Sequence, residues 1–161
     1  MHSKYKVRHG QRTFEFDGVL VASSTSKQVN SYRWVDFRLY ITVGGSYILE
    51  RVGQTLIYHD IGCLVVERNN LKFNPEDRIE PYHIPCYECA PDPEDPQDVI
   101  LIEKPRYYGL VSDSPDAILE ALHKRDSNGA RYMTNVTERL IEDACKYDKR
   151  LENAYRVEKI L

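Results

Sequence analysis

The chain has 161 residues, a length that suits one domain able to bury a core of its own. Its apolar content of 42% and charged content of 29% are ordinary for a globular protein, and its net charge of −3 excludes a generic binder of polyanions. No apolar run approaches the ~20 residues that span a bilayer, and the polar N-terminus lacks a signal-peptide core. We therefore expect an intracellular, cytoplasmic protein whose cysteines are reduced unless they bind metal.

The first predicted element is a basic edge strand. Residues 4–8 alternate, with Lys4, Lys6 and Arg8 sharing one face. Charges on an edge strand discourage edge-to-edge aggregation, which accounts for the pattern without any ligand. The same three side chains are the candidate phosphate contacts if the protein binds nucleic acid.

A second strand follows, with a polar connection after it. Residues 13–22 are rich in apolar and aromatic side chains and predict a strand, in which Gly18 marks a bulge or a bend. Residues 23–31 are polar with little to bury, so they predict a mobile loop.

Residues 32–52 predict the β-hairpin around which the sheet is organised. Apolar side chains recur at every second position of its first arm, and the glycine pair 44–45 permits a tight turn. A two-residue loop would set leucine opposite glutamate, whereas a three-residue loop at 43–45 matches apolar with apolar residues and opposite charges with each other. The pairs that this loop predicts are Leu39–Leu49, Ile41–Tyr47 and Arg38–Glu50.

One or two further strands and a long irregular segment come next. Residues 56–59 and 61–67 predict further strands, the second being an almost unbroken apolar run that favours a strand covered on both faces. Residues 69–97 hold six of the eight prolines, which remove donors and oppose regular structure. Such a segment is uncommon in a compact domain, so we expect its own side chains, a metal or a partner to hold it. Residues 98–103 and 107–111 return to strand.

The C-terminal third predicts two or three helices. Ser114 as N-cap and Pro115 at the first helical position indicate the start of the first helix. The second starts at Asn135, with Glu138 three residues later at capping-box spacing. Its apolar stripe stays on one side, which favours one continuous helix over a fresh helix capped by Asp148.

Strands followed by helices predict an α+β fold. We expect an antiparallel, twisted sheet of about six or seven strands, with the C-terminal helices packed on one of its faces. The whole chain, 1–161, would form a single domain, divided into a β-sheet core (1–68), the proline-rich loop (69–97) and a segment of strands and helices (98–161).

The sharpest chemical signal is the segment His83-Ile-Pro-Cys86-Tyr-Glu-Cys89. Two cysteines at this spacing can bring their thiolates to one tetrahedral zinc ion. His83 is a candidate nitrogen ligand, and Cys63 or His59 is a candidate for the remaining position. A structural zinc would also hold the proline-rich loop in place. Without metal, the same cysteines would pack against the sheet.

The outward face of the hairpin indicates protein binding. It carries Trp34, Arg38 and Tyr40, with Arg33 nearby, and these residue types dominate the binding energy of protein interfaces. Together with the acidic, proline-rich loop 74–97, they predict a non-enzymatic interaction or adaptor module that acts within a larger assembly.

Two other functions remain open at this point. A zinc-stabilised nucleic-acid-binding protein would use the basic N-terminal strand, with rings such as Trp34 stacking on bases. A small nuclease or a Cys/His-dependent enzyme would use His59 or His83 as base and Cys86 or Cys89 as nucleophile. The sequence holds no phosphate-binding loop, dinucleotide fingerprint or nucleophile elbow that would favour the enzyme.

Overall fold

The computed structural model of the chain describes residues 2–60, 62–89 and 100–158. Its contacts divide the chain into two compact units. Each unit is built from segments that are separated in the sequence by segments of the other. Unit 1 comprises Met1–Lys27, Val35–Val52 and Arg106–Leu161. Unit 2 comprises Gln28–Trp34 and Gly53–Pro105.

The described residues form ten strands and four helices. The strands are β1 (Ser3–His9), β2 (Arg12–Thr25), β3 (Arg33–Thr42), β4 (Tyr47–Thr55), β5 (Ile57–Asp60), β6 (Ile84–Pro85), β7 (Ile100–Ile102), β8 (Arg106–Ser112), β9 (Lys124–Arg125) and β10 (Arg131–Tyr132). The helices are α1 (Leu64–Arg68), α2 (Pro115–Leu122), α3 (Asn135–Cys145) and α4 (Lys149–Glu158). Among these helices, none combines the length and the apolar character needed to cross a membrane.

Five strands form a curled sheet in the order β1-β2-β3-β4-β8. β2 pairs antiparallel with both β1 and β3. β1 is at one end of this order, so it is an edge strand as predicted. Just after it, Gly10 N donates to Tyr107 O at 3.0 Å, and Gly109 N donates to His9 Nδ1 at 3.1 Å. An antiparallel sheet followed by C-terminal helices confirms the predicted α+β fold.

The hairpin turn has the predicted three-residue loop. Thr42 N donates to Ser46 O at 2.8 Å, and Gly45 adopts a φ of +87°, which favours glycine. Further along the two arms, the guanidinium of Arg38 lies 3.4 Å from the carboxylate of Glu50. Both contacts agree with the pairing chosen from the sequence.

Gly18 is needed for close approach and not for the bulge that the sequence predicts there. The register shift of β2 against β3 lies between Leu20 and Ala22. At Gly18 itself, a Cβ atom would lie only 2.5 Å from the backbone oxygen of Ile41. Any other residue would therefore push β2 and β3 apart at this point.

The main core of unit 1 lies between one face of the sheet and the helices. Apolar side chains from β2, β3 and β4 pack there with the buried faces of α2, α3 and α4. Its buried residues are Ala22, Leu39, Tyr47, Leu49, Ile118, Leu119, Leu122, Leu140, Ile141, Ala144 and Leu151. The opposite face of the sheet is also covered, by a smaller cluster around Val7, Tyr40 and Ile48.

The start of α2 confirms the predicted cap, and α3 starts at Asn135 as predicted, but its capping residue differs from the one that the capping-box spacing indicates. Ser114 Oγ accepts a hydrogen bond from Ala117 N, and Pro115 occupies the first turn of α2. At α3 the cap is Thr134, whose Oγ1 accepts from Thr137 N, and Asn135 is the first helical residue. The capping residue is thus one position earlier than predicted.

The C-terminal helical segment is broken, contrary to the single continuous helix that its apolar stripe predicts. α3 ends at Cys145 and α4 begins at Lys149. Asp148 caps the new helix, since its carboxylate accepts from Leu151 N at 3.2 Å and from the hydroxyl of Tyr47. The cap formed by Asp148 therefore starts a new helix, although the apolar side chains would also fit one continuous helix.

Unit 2 contains a three-stranded sheet in the order β6-β5-β7, with β5 parallel to β6 and antiparallel to β7. The predicted strand at 61–67 is wrong: α1 forms instead, with Val66 N donating to Cys63 O at 3.0 Å. A short apolar run does not by itself distinguish a buried strand from a buried helical turn. Of the predicted strand 98–103, β7 lies within the described residues, whereas residues 98 and 99, like 61 and 90–97, lie outside them.

Candidate metal centre

The pairing of β5 with β6 brings together residues that are far apart in the sequence. Ile57 is opposite Ile84 and Tyr58 is opposite Pro85, and Cys86 N donates to Tyr58 O at 2.9 Å. One step further along this parallel register, His59 comes beside Cys86.

Two more cysteines complete the cluster. Cys63 precedes α1, and its backbone N–H donates to Asp60 O at 3.0 Å, which fixes the turn after β5. Cys89 follows Cys86 within a turn. One ligand atom from each of His59, Cys63, Cys86 and Cys89 lies within 4.8 Å of all the others, so these four residues could hold a metal ion.

The spacing of the sulfurs suits a tetrahedral ion. Zinc–sulfur bonds of about 2.3 Å at the tetrahedral angle place two sulfurs about 3.8 Å apart. The Sγ atoms of Cys63 and Cys86 are 4.0 Å apart. This distance is far longer than the roughly 2.05 Å of a disulfide bond, so the two residues are free thiols placed for a shared ligand.

Most of the cluster is removed from water. His59 is 0%, Cys63 4% and Cys86 6% exposed, while Cys89 is partly exposed. Ile57, Val66 and Leu101 pack against the cysteines. A dry, apolar shell of this kind strengthens the bond between a cation and its ligands.

The orientation of the imidazole is set by a carboxylate behind it. His59 Nε2 lies 2.5 Å from a carboxylate oxygen of Glu103. Because a carboxylate only accepts, Nε2 carries a proton, and in the neutral imidazole this tautomer leaves the lone pair on Nδ1. His59 Nδ1 is buried, and no atom of the described residues is its hydrogen-bond partner. An imidazole that binds a metal through one nitrogen and a carboxylate through the other is a common arrangement in metalloproteins.

Glu103 is itself held on several sides. Arg33 contacts both of its oxygens, at 2.7 and 2.8 Å, and Thr55 Oγ1 donates to it at 3.1 Å. Burial alone would raise the pKa of Glu103, but the hydrogen bonds from Arg33 and His59 outweigh it and keep the pKa below its ordinary value. The carboxylate therefore stays ionised and keeps the His59 ring in one orientation.

The Cys89 thiol needs a cation to ionise here. Burial raises the pKa of Cys89 to about 12, with a contribution from the Cys63 thiol, although a backbone hydrogen bond from Asp60 opposes the shift. A thiol in this condition is a weak nucleophile. A bound divalent cation reverses the situation, since a coordinating thiol is deprotonated outright.

The sequence identified three of these four residues as its first choice. Cys63, Cys86 and Cys89 belong to the cluster, but the histidine is His59 and not His83. His83 Nδ1 accepts from Glu80 N at 2.7 Å, so this ring closes a local turn. Sequence spacing favours the nearer histidine, whereas the parallel strand pairing selects the more distant one.

The residues behind the ligands were not anticipated. Glu103 and Thr55 support His59 and its carboxylate, and nothing in the local pattern connects them with the cysteines. The one available signal is an acidic side chain at the end of the apolar strand β7, where burial requires a partner.

The predicted protein-binding residues have different environments. Tyr40 is buried in the small cluster on the far face of the sheet, which removes it from the outward surface. Trp34 is partly buried, and Arg33 is engaged by Glu103. Arg38 is exposed and paired with Glu50. Partner binding by these residues remains a prediction, and it no longer includes Tyr40.

The predicted nucleic-acid stripe is exposed but partly neutralised. Lys4 and Lys6 lie opposite Asp17 and Glu15 in the pairing of β1 with β2. Arg8 stacks on the ring of Tyr107, with 4.1 Å from its guanidinium carbon to the ring centroid. These neighbours lower the positive potential that a phosphate backbone would meet.

Comparison of the chain with protein-family models, with curated proteins and with solved structures found no match.

Proposed function

We propose that His59, Cys63, Cys86 and Cys89 hold one structural zinc ion, and that the protein is a non-enzymatic interaction module whose unit 2 folds around that ion. The observation that carries the proposal is the convergence of three thiols and one imidazole nitrogen within 4.8 Å of each other.

The donor set supports zinc over harder cations. Calcium and magnesium prefer oxygen ligands, whereas three cysteines and one histidine are a common structural set for zinc. Glu103 binds Nε2 of His59 and so turns the unpartnered Nδ1 toward the cysteines, as a carboxylate behind a zinc-bound histidine does.

The closed ligand set supports a structural site and not a catalytic one. A catalytic zinc keeps an open position for water or substrate, while four protein ligands fill the tetrahedron. Of the two candidate nucleophiles, Cys86 is buried away from substrate, and burial raises the pKa of the partly exposed Cys89 to about 12, which keeps its thiol protonated and weakly nucleophilic. The enzyme hypothesis therefore has little support from the geometry.

The ligands lie next to exposed apolar side chains, which supports the interaction module. Leu64 follows Cys63 and is 66% exposed, and Tyr87 lies between Cys86 and Cys89 and is 96% exposed. Binding of zinc would fix these side chains in water at defined positions. Tyrosine held in this way contributes large contact area at low entropic cost.

The zinc proposal is tested by elemental analysis of the purified protein and two matched pairs of variants. We expect about one zinc per chain in the wild type, and strong loss of zinc in His59→Ala and Cys86→Ser. The controls His83→Ala and Cys145→Ser change the same residue types outside the cluster and should keep the metal. Equal zinc in all four variants would contradict the proposal.

The interaction proposal needs a separate experiment. Tyr87→Ala and Leu64→Ala leave all four ligands in place, so zinc content should be unchanged. We expect both variants to lose the same co-purifying proteins when tagged chains are recovered from cells, whereas Tyr147→Ala, an exposed tyrosine of α3–α4, should retain them. If Tyr87→Ala recovers the same co-purifying proteins as the wild type, the surface around Leu64 and Tyr87 is not the contact site. The zinc proposal would be unaffected.

A further inference from the structure

Unit 1 contains a cavity of about 200 Å³ that the zinc site does not involve. Val35 and Phe37 of β3 form one wall, and Leu122 at the end of α2 forms another. The start of α3 closes it with Thr134 and Thr137.

The charge around this cavity is one-sided. Arg51, His123 and Lys124 line it, and no acidic side chain is among the lining residues that the structure describes. Like charges gathered on one cavity repel each other, and an anion between them reverses that cost.

The polar groups are held in position by their own contacts. The guanidinium of Arg51 stacks over Tyr108, 5.5 Å from the ring centroid. His123 Nδ1 lies 2.6 Å from Leu119 O and 3.4 Å from a guanidinium nitrogen of Arg131, so its ring is held from two sides. Arg51 and His123 are thus oriented before any ligand arrives, which lowers the entropic cost of binding.

We infer that this cavity binds a small organic anion: a carboxylate or a phosphate monoester carried on a compact apolar body. Arg51 and Lys124 would meet the charged group through charge-assisted hydrogen bonds, and Val35, Phe37 and Leu122 would contact the apolar body. Pockets for drug-sized ligands measure roughly 300–1,000 Å³, so a ligand here must be smaller.

The test uses phenyl phosphate and benzoate as probes, titrated into the full-length protein and followed by amide chemical shifts. We expect saturable shifts confined to residues around 35–37, 51, 122–124 and 134–137 with at least one probe. Arg51→Gln and Lys124→Gln should each weaken binding about tenfold, since hydrogen bonds to charged groups are the stronger class. Arg106→Gln removes an exposed arginine that does not line the cavity and should bind as the wild type does.

Benzyl alcohol separates charge recognition from simple filling of an apolar space. It carries the same ring without the charge, so it should bind at least tenfold more weakly than the better anion. Equal affinity for benzyl alcohol, equal losses in Arg106→Gln and Lys124→Gln, or shifts spread outside the cavity would each overturn the inference. Lys124 is exposed, so its variant keeps the test valid if Arg51→Gln fails to fold.

Discussion

Each of the two units is stabilised internally in a different way. The main core of unit 1 has eleven buried residues contributed by strands and helices alike. Among the residues of unit 2 that the structure describes, the corresponding cluster has five, and two of these are the candidate ligands Cys63 and Cys86. Unit 1 therefore gains its stability from apolar burial spread over many positions, whereas the described part of unit 2 depends on a few side chains that converge on one point.

This difference predicts how strongly one substitution destabilises each unit. Apolar burial in a small core rarely provides enough stability on its own, and a bound metal commonly provides the remainder. One substitution in unit 1 should weaken the fold by part of its stability. Loss of one metal ligand in unit 2 should remove the centre around which the segment is organised.

Removal of the metal should have the largest effect, and only on unit 2. Binding of structural zinc contributes about 10–16 kcal/mol in zinc-finger peptides. With a strong chelator, we expect amides of β5 and β7 to lose protection from hydrogen exchange by roughly a thousandfold or more. Amides of β2 and α3 should keep theirs, and added zinc should restore the protection in unit 2. Simultaneous loss in both units would mean that they do not differ as we describe.

Leu140→Ala should show the opposite selectivity. Leu140 is fully buried in the core of unit 1, so truncation leaves a cavity and should lower the free energy of unfolding of unit 1 by about 2–5 kcal/mol. Zinc content should stay at one ion per chain. Urea unfolding of unit 1 provides the measurement, with Val157→Ala at an exposed position of α4 as the control. Zinc loss in Leu140→Ala would show that the two units are not independent.

Glu103→Gln should reduce metal affinity without removing a ligand. The amide keeps the volume but loses the charge that orients His59 and pairs with Arg33. Loss of a carboxylate that orients a metal ligand typically costs about 10–100-fold in metal affinity, or about 1.4–2.8 kcal/mol. A competition titration with a zinc-binding dye measures it, with the exposed Glu76→Gln as control. An unchanged zinc affinity would show that Glu103 does not support metal binding through His59.

The smallest effect concerns one cap in unit 1. Thr134→Ala removes the side-chain acceptor at the start of α3 and should cost about 1 kcal/mol in thermal or urea unfolding. Asn135→Ala should be close to neutral, because Asn135 is the first helical residue and not the cap. The reverse order of the two effects would return the cap to the position that the sequence pattern favours.

Local patterns predicted those parts of the fold in which neighbours in sequence decide the structure. The three-residue turn before Ser46 follows from matching the two arms of one hairpin, and the start of α2 follows from Ser114 and Pro115 alone. In both cases the deciding interactions span a few residues.

The remaining features depend on contacts between distant segments. His59 replaces His83 because β5 runs parallel to β6, a pairing between residues 27 positions apart, as in Ile57 and Ile84. The burial of Tyr40 likewise depends on Val7, which belongs to another strand of the curled sheet. A period of two identifies a strand but not what covers each of its faces.

The close approach at Gly18 has a consequence for finding evolutionary relatives of this chain. A Cβ atom at that position would lie 2.5 Å from Ile41 O, so a homologue that keeps this strand pairing is expected to keep glycine there. Combined with the spacing of His59, Cys63, Cys86 and Cys89, this glycine defines a sparse sequence signature that tolerates wide divergence elsewhere.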